Sequence, residues 1–497
     1  MVFSSLFFVY VFMPVLLLLY YAIKRNSWRR GVLLLFSLLF YAWGEPVYIL
    51  LMLFSAQMNY LFGLAVGCSE KPAARKTAVA LGVIVNIALL GVFKYAGFAV
   101  ETFNSVTGLA IPVPAISLPL GISFYTFQAM TYVIDVYRGN CAPQKSFSRL
   151  LLYISLFPQL VAGPIVRYTD IEDSLESRRV TAAQFNNGLY RFAIGLGKKV
   201  IFANTCGLAA ENLFAFNATH GATVLGNWGG ILFYAFQIYF DFSGYSDMAI
   251  GLGHMFGFTF PENFDYPYIS RSVSEYWRRW HITLSSWFRD YLFYPVLRSK
   301  LCTSITRSLR KSGHKAASRS VPTIIALLVV WFSTGLWHGA SWNYVIWGLY
   351  YGILLILEEF VFGKIQKRIP SAVSATAGRV LFVFITLFGF AIFYNETDLL
   401  RNLGYLLGVG TVGFSDVYTV SMLYENGLLL IAALVCVTPL GHTLASGFGS
   451  MLESRCGSSA AYSISRVAKT VAILALFAVC TVRMVGDSYN PFIYFRF

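Results

Sequence analysis

His338 is the residue whose surroundings best suit acid–base chemistry. It stands in the run Thr334-Gly335-Leu336-Trp337-His338-Gly339-Ala340-Ser341-Trp342-Asn343, between the apolar stretches 322–336 and 344–362. The first stretch is short for a membrane span, so its helix is expected to end or turn inside the membrane. An ionisable group there is a functional candidate by default. A neutral imidazole costs less to bury than a carboxylate and still takes a proton near neutral pH. Gly335 and Gly339 would let another backbone or a substrate come close. A histidine that only bridges two helices is the plainer reading. The aromatic, Gly and Asn neighbours together favour a pocket lining instead.

A second run, Trp277-Arg278-Arg279-Trp280-His281-Ile282-Thr283-Leu284-Ser285-Ser286-Trp287-Phe288-Arg289-Asp290, has helical periodicity. On one continuous helix Trp277, His281, Leu284 and Phe288 share a face, and Arg278, Ile282, Ser285 and Arg289 share another. Such a stripe with flanking arginines equally describes a helix lying on the inner leaflet. His281 is expected in a buried polar network. Arg278, Arg279 and Arg289 are candidates for the phosphates of a cytoplasmic cofactor or for lipid headgroups, which spacing does not separate. In a third run, Gln237 to Asp247, two carboxylates lie six residues apart in apolar sequence. Asp241 and Asp247 are costly there unless paired, and a structural ion pair with an arginine such as Arg278 or Arg279 is favoured over a proton relay. His220, His254, His314 and His442 lack such neighbours and are expected to serve in loops or packing.

These residues need a scaffold, and the composition says which. Of 497 residues, 57% are hydrophobic, 17% aromatic and 12% charged, with a mean hydropathy of +0.62. Soluble domains carry about 25% charged residues, so a soluble enzyme, a disordered chain and a coiled coil are excluded. Apolar runs at 6–23, 47–66, 77–93, 344–362 and 425–440 point to a polytopic bundle of transmembrane helices, all-α, with roughly 10–12 spans and some interrupted or interfacial helices. Ten-residue alternating strands, as in a barrel, are absent. The amino terminus has no charged n-region and reads as a first span.

The net charge of +15 sits between apolar runs, where it orients loops and does not imply nucleic acid. Basic clusters at Lys24–Arg30 and Lys71–Lys76 follow the first and third runs and place the amino terminus outside. Arg138–Arg149, Arg298–Arg319, Lys364–Arg368 and Arg455–Lys469 then face the cytoplasm, and 99–115 and 396–424 face outward. From 115 to 300 the apolar sequence is punctuated by Pro119, Gly121, Asp135, Pro158, Gly163, Pro164, Asp241, Gly244 and Asp247. Broken backbone at membrane depth survives only inside protein or around a cavity, so this region should line something. No repeat or soluble segment divides the chain, and residues 1–497 read as one integrated membrane domain. The seven cysteines are scattered, without metal-ligand spacing, and each is expected to act as a small buried hydrophobe; no metal site and no bound cofactor are expected.

Phosphate-loop, zinc-protease and serine-hydrolase motifs are also missing. The residues alone leave a membrane-embedded transferase built on histidine, or a proton-coupled exporter, against which the lack of an inverted repeat counts.

Several ordered runs resemble the membrane-bound O-acyltransferase (MBOAT) family. They are His338 with Gly335-Leu336-Trp337 and Gly339, and Pro261-Glu262-Asn263-Phe264 through Tyr291. Met1-Val2-Phe3-Ser4-Ser5, Gly121 to Gln128, Asp135 to Gly139, Phe157 to Pro164 and the closing Pro491 to Phe495 also fit. The likeness leans to the alginate O-acetyltransferase-like branch. It implies catalytic roles for His338 and His281, with His338 as general base and His281 orienting the donor or stabilising the oxyanion. It further implies a multi-pass protein of the bacterial inner membrane and an acetyl group taken from cytoplasmic acetyl-CoA. The acceptor would be an extracytoplasmic polysaccharide, reached with a separate extracytoplasmic acyltransferase as partner. The segment Tyr294-Pro295-Val296-Leu297-Arg298-Ser299-Lys300 departs from the Gly-Gly loop of alginate-type relatives. That keeps open a D-alanyl transferase fed by a carrier-protein thioester, which the basic segment 298–319 would suit as well as it suits CoA.

Overall fold

A computed structural model describes residues 1–362, 371–456, 458–486 and 489–490. Among them there is no β-strand, only isolated bridges between Thr223 and Gly413 and between Phe264 and Trp280. The chain is an all-α membrane protein. Among the described residues five helices are long and apolar enough to cross a membrane: Ile49–Cys68, Pro72–Thr107, Ala317–His338, Trp342–Phe362 and Tyr462–Gly486. The pair Val417–Glu425 and Gly427–Cys436, bent by 55°, makes a sixth if counted as one span. That is fewer than the 10–12 read from hydropathy. Much of the remaining apolar sequence is cut into shorter helices, such as Phe8–Ala22 and Gly378–Tyr394.

The helices form two compact units. The first contains Met1–Leu196 and Tyr245–Glu262. Its apolar spans are joined by polar contacts, as membrane helices lack a hydrophobic drive to associate. Asn59 and Asn86 exchange amide hydrogen bonds of 3.1 and 2.8 Å between two such helices. Pro72 opens its helix, where a missing N–H costs nothing, and Gly108 closes it in the left-handed conformation. The Gly- and Pro-broken segment 156–166 is buried, and Tyr153 donates to the Val166 carbonyl at 3.0 Å. Gly121, at φ +72°, opens the buried Ile122–Arg138 helix with the Leu160 carbonyl where a Cβ would stand.

The second unit holds Gly197–Gly244 and the described residues from Asn263 onward. Its centre is the antiparallel pair Ala317–His338 and Trp342–Leu357. A Cβ on Gly335 would lie 2.4 Å from the Tyr344 carbonyl, and one on Gly348 would lie 2.2 Å from the Trp331 carbonyl. The two backbones are therefore in direct contact. Sequence between 237 and 247 does not break as expected: Val224–Phe256 is one helix of 33 residues. Cys206, Cys302 and Cys480 are buried as expected, whereas Cys68 and Cys436 are exposed. Lys364–Arg368, the closing Pro491–Phe495 run and the side chains of Arg455 and His442 lie outside the described residues.

Gly348→Ala should force the two helices apart. The expected cost is about 1–3 kcal/mol of overpacking, read as a lowered midpoint of thermal unfolding in detergent.

Candidate active site

His338 is the last residue of its helix, and the chain turns through 339–341 before Trp342 starts the next. The imidazole is 7% exposed and lies edge-on to Trp347 and Phe393, with ring centroids 4.9 and 5.3 Å away. What comes close at the glycines is the neighbouring helix: Tyr344 fills the space a Cβ on Gly339 would need, with its ring 2.2 Å from that point. Tyr344 donates its hydroxyl to Glu396 at 2.7 Å, and Asn343 donates to the Phe393 carbonyl at 2.9 Å. These two bonds anchor the chain where it leaves the turn.

The run around His281 is not one helix. Ser272 caps Val273–Arg279, Trp280 is extended, and His281 takes a left-handed conformation at φ +44° before Ile282–Phe288 begins. Left-handed backbone is uncommon outside glycine, although histidine tolerates it better than most side chains, and here neighbouring main chain holds it. Asp265 donates its N–H to the Arg279 carbonyl at 2.9 Å, and Ile282 donates to the Asn263 carbonyl at 3.0 Å, so segment 263–265 pairs with the break. The Glu358 carboxylate accepts the Val273 N–H at 2.8 Å and the Ser274 N–H at 3.2 Å, where the helix dipole favours an anion.

The break changes which side chains meet. Trp277, Leu284 and Phe288 do share a wall, of a cavity of about 230 Å³, with Ser285, Arg289, Trp331 and Thr334. His281 is not in that lining. It is 1% exposed, 4.5 Å from the Phe242 ring and 5.9 Å from Trp337, which itself lies 5.0 Å from His338. Its Nδ1 is 3.0 Å from Asn263 Oδ1. Burial, with His338 nearby, pushes the His281 imidazole well below its ordinary titration range, so it is neutral. Both expected histidines therefore converge on one aromatic cluster.

The three arginines separate. Arg289 is exposed, ion-paired to the adjacent Asp290 at 2.9 Å, and lines the cavity. Arg278 is exposed. Arg279 bonds Asp265 at 3.0 Å and Glu275 at 3.1 Å, which occupies its guanidinium in holding the break. Both aspartates are ion-paired, as expected, but not with Arg278 or Arg279. In the second unit Lys199 Nζ lies 2.8 Å from Asp241, with both side chains at most 3% exposed. In the first, Arg191 bonds Asp247 at 2.9 Å and also Glu262. Lys199 and Arg191 lie some forty to sixty positions upstream, too far for helical spacing to reveal. Asn263 and Glu358 were missed as well; nothing in local periodicity marks them. Among the described residues no group of three His, Cys, Asp or Glu side chains is placed to hold a metal ion.

A model of the membrane-bound O-acyltransferase family matches residues 144–309. The chain is 35% identical to a probable alginate O-acetylase AlgI of Pseudomonas syringae pv. tomato, over 100% of both chains. It is 32% identical to a peptidoglycan O-acetyltransferase of Helicobacter pylori, over 84% of this chain and 81% of that one. To a teichoic acid D-alanyltransferase of Bacillus subtilis it is 31% identical, over 56% and 69%. The chain belongs to the membrane-bound O-acyltransferase family. It is a multi-pass membrane acyltransferase, and the exporter reading falls away.

The Lys199–Asp241 pair sits one residue from Phe242 and so steadies the ring against His281. Lys199→Met leaves a buried carboxylate without its cation and should cost about 3–5 kcal/mol, whereas Lys199→Met with Asp241→Leu should recover most of it. Thermal unfolding of the purified variants in detergent compares the two.

Proposed function

We propose that this protein moves an acetyl group from cytoplasmic acetyl-CoA, across a bacterial inner membrane, to the hydroxyl of an extracytoplasmic acceptor. The acceptor is a cell-envelope polysaccharide, or a partner acyltransferase that relays the group to it. The observation that carries the reading is the meeting of His338 and His281 on Trp337, in an interior rich in aromatic rings. The names of the O-acetylating relatives support the acetyl group and the glycan.

In this reading His338 takes the proton of the acceptor hydroxyl as its oxygen attacks the thioester carbonyl carbon. The carbon–sulfur bond then breaks, and the departing thiolate regains the proton. Positioned acid–base help of this kind is worth about 10²–10⁴-fold. Exclusion of water by Trp347 and Phe393 limits loss of the acyl group to hydrolysis. Arg278 and Arg289, both exposed, are the candidates for the donor's phosphates.

A second reading, D-alanyl transfer from a carrier protein, is favoured by one feature. The helix Lys300–Lys311 exposes Lys300, Arg307, Arg310 and Lys311 together with Leu301, a surface that suits an acidic, partly apolar partner.

His338→Ala should lower acyl transfer from labelled acetyl-CoA in membranes by 10²–10⁴-fold at unchanged protein level. Full activity in that variant removes the mechanism. Transfer that ignores acetyl-CoA and requires a charged carrier protein moves the assignment to the second reading.

A further inference from the structure

The hydrogen bond between His281 and Asn263 has a direction that its other partners fix. Asn263 Oδ1 also lies 3.3 Å from the backbone nitrogen of Thr283 and 2.9 Å from the Thr283 hydroxyl. A backbone N–H only donates, so the atom facing His281 is the amide oxygen and not the amide nitrogen. An amide oxygen only accepts, so His281 Nδ1 carries the proton of the 3.0 Å bond. A neutral imidazole has a single N–H, which leaves Nε2 bare. That nitrogen is buried and has no hydrogen-bond partner among the described residues. Buried polar atoms are nearly always paired, and an orphan of this kind marks a place where a ligand completes the set.

We infer that Asn263 is a positioning residue that locks His281 as the Nδ1–H tautomer and so makes Nε2 a hydrogen-bond acceptor for an N–H or O–H of a bound substrate. The inference rests on the proposal that His281 belongs to the active site, and it chooses between two roles. A bare Nε2 has no proton to offer a developing oxyanion, so His281 orients a substrate and does not stabilise that charge. The donor supplies a suitable group: the pantetheine arm shared by CoA and carrier proteins carries amide N–H groups close to its thioester. The left-handed backbone at His281 belongs to the same device. It lets Asn263 hold Ile282 with its main-chain oxygen and the imidazole with its side chain.

Two measurements on the full-length protein test this. Histidine ¹⁵N NMR in detergent, with the His281 signal assigned by its loss in His281→Ala, should show Nδ1 protonated and Nε2 unprotonated; a protonated Nε2 overturns the inference. Asn263→Asp keeps the accepting oxygen but adds a negative charge that favours imidazolium, whose Nε2 cannot accept. His338 is the titratable neighbour of His281, and the rings of Phe242 and Trp337 make up further walls. Raising the His281 pKa means the acceptor form exists only above the new value. Relative to the wild type at the same pH, activity of Asn263→Asp should therefore fall about tenfold for each pH unit below that point and return as pH rises. A profile identical to wild type, with stability alone changed, would mean a structural role only. Full activity in His281→Ala would instead remove the active-site reading and leave the tautomer to the spectrum.

Discussion

Two backbones in contact set the position of everything else in the second unit. Gly335 and Gly348 bring the Ala317–His338 and Trp342–Leu357 helices together until each carbonyl occupies the space a side chain would take on the other. Membrane helices gain little from excluding water, so this close van der Waals fit supplies association that apolar surface cannot. The connecting turn is then too short to wander. His338 is carried to the end of one helix and held against Trp347 of the other, with Phe393 of a third helix alongside.

The same economy explains where the charges went. The buried carboxylate of Asp241 and the half-buried one of Asp247 are tolerable only with cations beside them, and each has one on a preceding helix or π-helical turn. These pairs let the long Val224–Phe256 helix run unbroken through sequence that carries Gly244 and two acids. Broken backbone occurs elsewhere, at 156–166 and at Trp280-His281, where side chains and neighbouring main chain satisfy the exposed groups.

Composition and apolar run length made the all-α membrane class legible, and the neighbours of His338 singled it out. Hydropathy counts more spans than the five or six helices that are long and apolar enough by themselves among the described residues, because other apolar stretches are cut into shorter helices. Periodicity put His281 on a helix face beside Trp277, since nothing local announces a left-handed residue; the break is imposed by Asn263 and Asp265, some fifteen residues upstream. For the same reason the partners of Asp241 and Asp247 were misassigned. Arginines near in sequence were the natural guess, and Arg279 instead spends its guanidinium on Asp265 and Glu275. What the sequence conceals is pairing at long range, and in this chain that pairing determines the chemistry of the second histidine.

A neutral imidazole whose Nδ1 hydrogen is already engaged differs from a free one in a way that matters for acyl transfer. The His281 ring in this apolar interior resists protonation, because burial and the His338 ring nearby both disfavour a charge on it. The attack of a hydroxyl on a thioester creates a cation on whichever ring takes the proton. Asn263, an uncharged amide, fixes the direction of His281 without stabilising such a cation there, as a carboxylate would. On the function proposed above, the proton is then left to His338, and His281 is the ring that is aimed.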